Sequence, residues 1–272
     1  MQSGNKVVPK ERMVKISQFL VARRYSRRAA FIFTAVCLAA WAIYSSIVEA
    51  YLMPGPVPVA IRFVEFFTDI HSVIQMFWSF AHILSAIFIS FIIGTALAFL
   101  PFYFPVFRLM VNNRLTPFLN SFPGIGWLLL SIIWFGINDF TVIFSICVVL
   151  IPFAVINMRE GLDNLDNELI EMGVSFGRSP LRQFTKLLLP SLYPFMFATL
   201  RIIFGVSWKV ALTVELFGGD KGLGTLLNLA RQDFDTALIL VVILIIIMFV
   251  YSTDRWVFTP IQGFLAKHHG TG

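Results

Sequence analysis

Long apolar stretches, separated by short polar segments, make up most of this chain. A helix needs about 20 apolar residues to cross the ~30 Å hydrocarbon core of a bilayer. Six stretches meet this requirement, so the pattern predicts an all-α polytopic membrane protein with six transmembrane helices. The predicted spans are residues 30–49, 77–101, 115–136, 139–158, 188–212 and 236–258.

The third of these stretches is interrupted by helix-breaking residues, namely Pro117, Pro123, Gly124 and Gly126. A broken helix survives inside a membrane only where protein or a water-filled cavity satisfies the freed backbone groups. The sequence therefore predicts a broken third span that faces protein or water rather than lipid.

The composition agrees with a membrane protein, since 58% of the residues are hydrophobic and only 13% are charged. A soluble domain would carry roughly a quarter charged residues. A net charge of +6 is also found in proteins that bind nucleic acid. Here, however, no aromatic residues alternate with the basic ones and no nucleic-acid-binding motif is present. Cys37 and Cys147 both lie within apolar runs, so neither a disulfide framework nor a metal site is predicted.

The basic residues define an orientation for the predicted helices. Eight of the 21 precede residue 29, which is typical of a topogenic signal and of a contact with anionic lipid headgroups. With the N-terminus in the cytoplasm, inner segments carry sixteen basic residues and outer segments only three, Arg62, Lys221 and Arg231. This bias predicts that both termini are cytoplasmic. The expected divisions are a basic segment at 1–28, a transmembrane domain at 29–262 and a tail at 263–272.

The longest internal polar segment, Arg159–Lys186, is predicted to form two short helices joined at Gly177. Residues 167–176 place apolar side chains three and four positions apart, and Gly177 suits a helix end. Ser179 and Pro180 then provide an N-cap and a first helical residue. This shape fits docking into a groove of a partner. From spacing alone, an amphipathic connector lying on the membrane explains it equally well.

The same loop resembles the EAA signature of binding-protein-dependent ABC importers, E-A-A-x3-G-x9-I-x-L-P. Every spacing of the signature is kept here, although its two alanines are replaced by Met172 and Gly173. The matching positions are Glu171, Met172, Gly173, Gly177, Leu187, Leu189 and Pro190. In that family the loop, here within 159–187, inserts a coupling helix into a cleft of the ATPase subunit.

Further motifs extend this resemblance from about residue 52 to residue 262. They are Leu52–Pro56, Pro123 with Trp127, Ile133–Gly136, Leu200–Arg201, Trp208, Glu215 and Gly222–Gly224. Leu129, however, stands where the family usually has proline. In order and at these separations the motifs resemble the nitrate, sulfonate and taurine branch of the family, which also includes permeases for thiamine precursors.

The resemblance implies a type I ABC importer permease fold and a bacterial inner-membrane location. It also implies a homodimer of permeases, two ATP-binding-cassette ATPase subunits, and a periplasmic or lipid-anchored solute-binding protein. The chain has no G-x4-G-K-[ST] motif, so ATP and Mg²⁺ are expected on the partner subunits, with no cofactor on this chain. We therefore expect a non-catalytic membrane subunit that transmits the energy of ATP to a transport path.

Ionisable groups within predicted spans are candidates for that path, because they are costly there. Lys209, Arg201 and His82 are such groups, and the motif resemblance adds Trp208 and Glu215 to the candidates. Lys209 stands where the family usually has an uncharged residue and would suit an anionic substrate; snorkelling, or pairing with Glu215, is the structural alternative. Structural roles are also open for two of these residues: Arg201 can pair with carbonyl groups or an acidic neighbour, and His82 can be a packing residue. The resemblance gives Glu215 a role in the outer gate or the adjoining loop.

The predicted cargo is a small anion such as a sulfonate, nitrate or carboxylate, with a heterocyclic vitamin precursor as the alternative. Two other functional classes agree less well with the sequence, a secondary transporter and an intramembrane enzyme. A secondary transporter is expected to show an internal repeat, and none is found. An intramembrane enzyme needs a constellation of catalytic residues within the spans, where His82 is the only histidine.

Overall fold

The computed structural model describes residues 10–165 and 184–263, and within these ranges all regular structure is helical. Two compact units can be distinguished, Met1–Ile61 and Arg62–Gly272. In the first unit, helix α1 (Lys10–Ile47) contains the apolar segment Ala29–Ile47. The indole Nε1 of Trp41 donates a 3.0 Å hydrogen bond to the carbonyl of Pro54, so the chain folds back against the end of α1.

The remaining helices follow in chain order. They are α2 (Pro56–Thr68), α3 (Ile70–Tyr103), α4 (Pro105–Ser121), α5 (Gly124–Phe135), α6 (Asp139–Asp163), α7 (Leu189–Gly218), α8 (Leu223–Gln232) and α9 (Thr236–Gly263). Within the described residues, five helices are long and apolar enough to cross a membrane: the 29–47 part of α1, and α3, α6, α7 and α9. The bent pair α4–α5 gives a sixth span when counted as one, which agrees with the predicted number.

The central helix of the second unit is α6. Over half (56%) of its most apolar window is buried, compared with 33% for α3 and for α7, which pack against it. Gly94 of α3 lies so close to α6 that a Cβ atom there would stand 2.4 Å from the Cβ of Ala154. The absence of a side chain at Gly94 is therefore what allows the two helices to approach this closely.

The third span is broken, as the prolines and glycines predicted. Helices α4 and α5 meet at an angle of 86° at Phe122–Pro123, where Phe122 is extended rather than helical. Helix α4 is itself irregular, since it includes a π-helical turn at Val111–Leu115. Gly124 and Gly126, two of the predicted breakers, belong to the first turn of α5.

Several observed spans are longer than the hydrophobic pattern indicated, among them α3 and α7. Helix α3 begins at Ile70 instead of residue 77, with Asp69 as its N-cap. Helix α7 continues to Gly218 instead of ending at residue 212. In both helices the additional turns contain polar residues whose side chains are hydrogen-bonded within the protein, namely Ser72, Gln75 and Glu215.

Part of the predicted coupling loop lies outside the described residues, including Glu171, Met172, Gly173 and Gly177. Leu187 belongs to a π-helical turn, Phe184–Leu188, that precedes α7. Leu189 and Pro190 are the first two residues of α7, where a proline removes no helical hydrogen bond. The role of this loop in coupling stays a prediction.

Candidate functional site

The side chain of Glu215, near the end of α7, is fully buried and accepts three hydrogen bonds. Its Oε2 accepts from the hydroxyl of Ser79 at 2.6 Å and from the backbone N–H of Gly224 at 3.0 Å. Its Oε1 lies 2.9 Å from Nδ1 of His82, which carries the donated proton when Glu215 is ionised. A buried carboxylate needs such donors to replace the water that it has lost.

Glycine residues after α7 make room for this carboxylate. Gly222 has a φ of +108°, and a Cβ atom there would stand 2.3 Å from the Glu215 carboxyl carbon. At Gly224 a Cβ would stand 2.5 Å from the Cβ of Glu215 and 2.6 Å from the carbonyl oxygen of Leu212. The motif Gly222–Gly224 is therefore required by the packing of the loop against Glu215 as well as by its backbone conformation.

His82 connects Glu215 to a second, more exposed pair of charges. Its Nε2 lies 3.4 Å from Oδ1 of Asp139, the first residue of α6. The other oxygen of Asp139 accepts a 2.9 Å hydrogen bond from Nζ of Lys221. The Lys221 ammonium also lies 4.3 Å from the ring centroid of Trp78. The hydrogen bond with Asp139 raises the pKa of Lys221 above its ordinary value of 10.5, so Lys221 is charged at neutral pH.

The loop between α7 and α8 is held to α3 by hydrogen bonds to its backbone. The Ser79 hydroxyl accepts from the N–H of Leu223 at 2.7 Å, and Oε1 of Gln75 accepts from the N–H of Gly222 at 2.7 Å. We call this set of residues the Glu215 cluster. It consists of Gln75, Trp78, Ser79, His82, Asp139, Glu215, Lys221 and Gly222–Gly224. The cluster joins the ends of α3, α6, α7 and α8 that lie on the predicted outer side.

Two predicted path residues, Glu215 and His82, therefore lie inside this cluster. Trp208 is also buried, among the aromatic rings of Phe80, Phe204 and Phe249. Arg201 forms a bidentate ion pair with Asp254 of α9, at 2.8 Å and 3.0 Å, and bonds Gln262 as well. These contacts occupy the side chain of Arg201.

Lys209 differs from the other candidates because its side chain is exposed. Among the described residues it takes part in no ion pair and its ammonium in no hydrogen bond; the alternative pairing with Glu215 is not formed. The same face of α7 carries Ile202, Gly205 and Thr213, and a Cβ at Gly205 would meet open space. This face thus presents the positive charge of Lys209, the hydroxyl of Thr213, which donates to the Lys209 carbonyl, and open space beside the backbone of Gly205.

Sequence reasoning missed five members of the cluster, namely Gln75, Trp78, Ser79, Asp139 and Lys221. One signal was available: Gln75, Ser79 and His82 are spaced four and three residues apart, which places them on one face of a helix. Asp139 and Lys221 gave no comparable signal, because their partners are distant in sequence. Within the described ranges, no group of three or more His, Cys, Asp or Glu residues is placed to hold a metal ion.

Comparison with known proteins gives one family. Residues 19–258 match the model of the family described as binding-protein-dependent transport system inner membrane component. The aliphatic sulfonates transport permease SsuC of Bacillus subtilis is 25% identical over 86% of this chain and 86% of its own length. SsuC of Escherichia coli is 29% identical over 47% of this chain and 48% of its own length, so that alignment spans about half of the relative.

A third relative is the nitrate import permease NrtB of Leptolyngbya laminosa, which is 30% identical over 39% of this chain and 38% of its own length. Among solved structures, an inward-facing conformation of the MetNI methionine ABC transporter is similar in fold. It matches with a TM-score of 0.55 and 20% identity over 70% of this chain and 92% of the compared chain.

Proposed function

Because this chain belongs to the family of binding-protein-dependent transport system inner membrane components, we propose that it imports a small anion across the bacterial inner membrane. Family membership makes it a multi-pass ABC transporter permease, a non-catalytic membrane subunit, as the sequence predicted. The likeness to a MetNI structure confirms the predicted type I importer permease fold. The anionic cargo and the individual partners are the parts that we propose.

The observation that carries the proposal is the exposed, unneutralised charge of Lys209 within α7. At 1.5 Å per residue, Lys209 lies about 14 Å from the outer end of the helix at Gly218. A cation at that depth is costly when it faces lipid. We therefore place this face of α7 against a water-filled path or against a second copy of the permease, and not against acyl chains.

The contrast with Arg201 sharpens this assignment. The guanidinium of Arg201 already has the carboxylate of Asp254 as a bidentate partner, which leaves it little capacity to bind a passing anion. Among the described residues the ammonium of Lys209 keeps all three donors available, whereas the Thr213 hydroxyl donates to the backbone carbonyl of Lys209 at 3.1 Å. Gly205, one turn below, leaves space next to the charge.

The named cargoes of the relatives support the same chemical class. Aliphatic sulfonates and nitrate, which appear in the names of SsuC and NrtB, are small oxyanions. Such anions bind well to an ammonium group combined with hydroxyl or backbone donors. A solute-binding protein would deliver the anion to the outer end of the bundle.

We further propose that the energy comes from two ATPase subunits that dock at the loop containing Glu171 and Gly177. Both termini would then lie in the cytoplasm, on the same side as these subunits. Co-expression with the ATPase subunits encoded beside this gene should give a stable complex, and deletion of residues 173–177 should abolish it. A permease that transports its solute when purified without ATPase subunits would overturn this arrangement.

Uptake measurements on the Lys209→Met variant test the anionic cargo. In cells that express the complete transporter, we expect uptake of an alkanesulfonate or of nitrate to fall by about tenfold or more, as when one charge-assisted contact is lost. Lys209→Arg should retain a large part of the uptake. Arg231→Gln is the matched control, because Arg231 is an exposed cation whose only described partner is Asn228.

Equal uptake by Lys209→Met and the unmodified transporter would rule out Lys209 as a substrate contact. A parallel measurement of complex formation with the ATPase subunits separates this outcome from misassembly. We expect Lys209→Met to form the complex in normal amounts, because among the described residues the Lys209 ammonium takes part in no ion pair or hydrogen bond.

A further inference from the structure

A second polar site lies at the opposite end of α3 from the Glu215 cluster. A cavity of about 490 Å³ opens between the last turns of α3 and α6 and the irregular helix α4. This volume is within the range of ligand pockets, roughly 300–1,000 Å³. Its polar lining comes from Arg108, Asn112, Asn113, Arg159 and Asp163. None of these residues belongs to the path proposed for the transported anion.

The two arginines of this cavity keep most of their donors available. Arg108 is exposed and, within the described residues, takes part in no ion pair or hydrogen bond through its side chain. Arg159 has one acidic neighbour, with its Nε at 3.9 Å from Oδ2 of Asp163. That distance is too long for a hydrogen bond, so the guanidinium of Arg159 is only loosely held. Two guanidinium groups lining one cavity favour an anionic group with several oxygens, and a phosphate fits this requirement.

An unsatisfied acceptor lines the same cavity. Oδ1 of Asn112 is buried and has no hydrogen-bond partner among residues 10–165 and 184–263. Buried amide oxygens are nearly always hydrogen-bonded, and an exception calls for a ligand or a water molecule. Asn112 also belongs to the π-helical turn Val111–Leu115, a type of irregularity that is frequent at functional sites. A ligand that carries a donor next to its phosphate would satisfy Asn112 as well as the arginines.

The surroundings of Arg108 indicate where such a ligand comes from. Val106, Leu109 and Met110, on the same irregular helix, expose large apolar side chains, with Val106 87% exposed. Apolar side chains beside an arginine at the end of a membrane span suit the lipid interface. Basic pockets between transmembrane helices on the cytoplasmic side are known to accept phospholipid headgroups. The cavity is therefore placed to receive a headgroup from the inner leaflet.

We propose that this cavity binds the phosphoethanolamine headgroup of a membrane phospholipid. Arg108 and Arg159 donate to the phosphate oxygens, and Oδ1 of Asn112 accepts from the ammonium group. Asp163, on the wall of the same cavity, balances the positive charge of that ammonium. The transporter would then hold one lipid next to the segment that continues into the predicted coupling loop.

Native mass spectrometry of the purified full-length permease tests this proposal with two lipids. Phosphatidylethanolamine and phosphatidylcholine share the phosphate, but only phosphatidylethanolamine carries N–H donors for Asn112. We expect tighter retention of phosphatidylethanolamine by about tenfold, and loss of this preference in Asn112→Leu. Arg108→Gln and Arg159→Gln should each weaken the binding of both lipids by about tenfold. Arg114→Gln is the matched control, since Arg114 lies in the same π-helical turn and does not line the cavity.

Titration with inorganic phosphate distinguishes a lipid from a soluble source of the same chemistry. If phosphate binds in an Arg108-dependent manner and neither lipid is retained, the lipid assignment is overturned in favour of a soluble phosphate. Equal retention of phosphatidylethanolamine by the Arg108→Gln/Arg159→Gln double variant and by the unmodified protein would overturn the site itself. Melting temperatures of the variants verify that they fold. The melting temperature of Arg108→Gln should equal that of the unmodified protein, because the Arg108 side chain takes part in no ion pair or hydrogen bond among the described residues.

Discussion

Oε1 of Glu215 and Nδ1 of His82 lie 2.9 Å apart across the interface of α7 and α3, although 133 residues separate them in the chain. Both side chains are almost completely inaccessible to water, at 0% and 2% exposure. His82 is one of three hydrogen-bond donors to Glu215, and Glu215 is one of two carboxylates that contact His82, so the removal of either side chain leaves a buried polar group of the other without its partner.

Replacement of Glu215 by alanine should strongly destabilise the permease. Without the carboxylate, His82, Ser79 and the N–H of Gly224 lose their acceptor together, and each buried polar group left without a partner costs about 1–3 kcal/mol. Ser79→Ala, which removes one hydroxyl, should cost about 1–3 kcal/mol. Thermal unfolding in detergent measures both effects. Glu49→Ala, at an exposed carboxylate, is the control, and a Glu215→Ala variant that melts with the control would refute the role of the cluster.

A methyl group at Gly94 should force α3 and α6 apart. The added Cβ would stand 2.4 Å from the Cβ of Ala154, and overpacking of this kind costs about 1–3 kcal/mol. Gly205→Ala provides the matched comparison, because nothing lies within 4 Å of its added Cβ. We expect it to leave stability unchanged or to raise it by up to about 1 kcal/mol through helix propensity. Unfolding curves of the two variants that coincide would contradict the packing described for Gly94.

Acid should loosen the first turn of α3 through its N-cap, Asp69. Hydrogen bonds from the Ser72 hydroxyl and from the backbone N–H groups of Ser72 and His71 hold the pKa of the Asp69 carboxyl below its ordinary value of 3.8. The folded state thus favours the ionised form. The resulting stabilisation is present above pH 3.8 and is lost as the pH falls through the lower pKa of the folded protein.

Asp69→Asn isolates this contribution, because asparagine is also a good N-cap but does not titrate. We expect the melting temperature of the unmodified permease to fall more steeply than that of Asp69→Asn as the pH is lowered below 3.8. Parallel pH profiles of the two proteins would show that Asp69 makes no acid-dependent contribution.

Disruption of the pair formed by Arg201 and Asp254 should affect folding and transport together. Both side chains are more than a third exposed, so the loss in Asp254→Asn should be only about 1 kcal/mol. Uptake should then decline in proportion to the amount of folded permease, whichever anion is supplied. For Lys209→Met we expect the opposite, with normal protein levels and reduced anion uptake. Western blots beside uptake assays distinguish the two patterns.

Hydrophobic runs and helix breakers were sufficient to predict the number of spans and the break near Pro123. They located the ends of α3 and α7 less well, because Ser72, Gln75 and Glu215 lower the hydropathy of these turns. Inside the folded protein, Glu215 bonds to Ser79 and Gln75 bonds to the backbone of the α7–α8 loop. A hydropathy pattern records the polarity of each residue, whereas the ends of these helices depend on pairing between helices.

The candidate site was predictable to a similar extent. The motif resemblance singled out Glu215 and Gly222–Gly224 but not the residues that they contact, because Ser79 is 136 positions away from Glu215. The ion pair between Arg201 and Asp254 was equally out of reach for a single sequence, since periodicity along one helix contains no information about the facing helix. Lys209 was recognisable because an unusual charge in an apolar run is itself a local signal.

Because Glu215 is anchored near one end of α7, we expect this helix to rotate about the Glu215 cluster when its other end is displaced. This helix has 30 residues and is therefore about 45 Å long, and the Glu215 cluster holds it only three residues before its end at Gly218. Its other end, at Leu189, continues directly from the segment predicted to contact the ATPase. With the fixed point at Glu215, near one end, a displacement of Leu189 would rotate the helix, and the midpoint of the helix would move about half as far as Leu189. Lys209 is six residues from Glu215 and would move little. Its ammonium group would therefore stay in place while the half of α7 that begins at Leu189 moves.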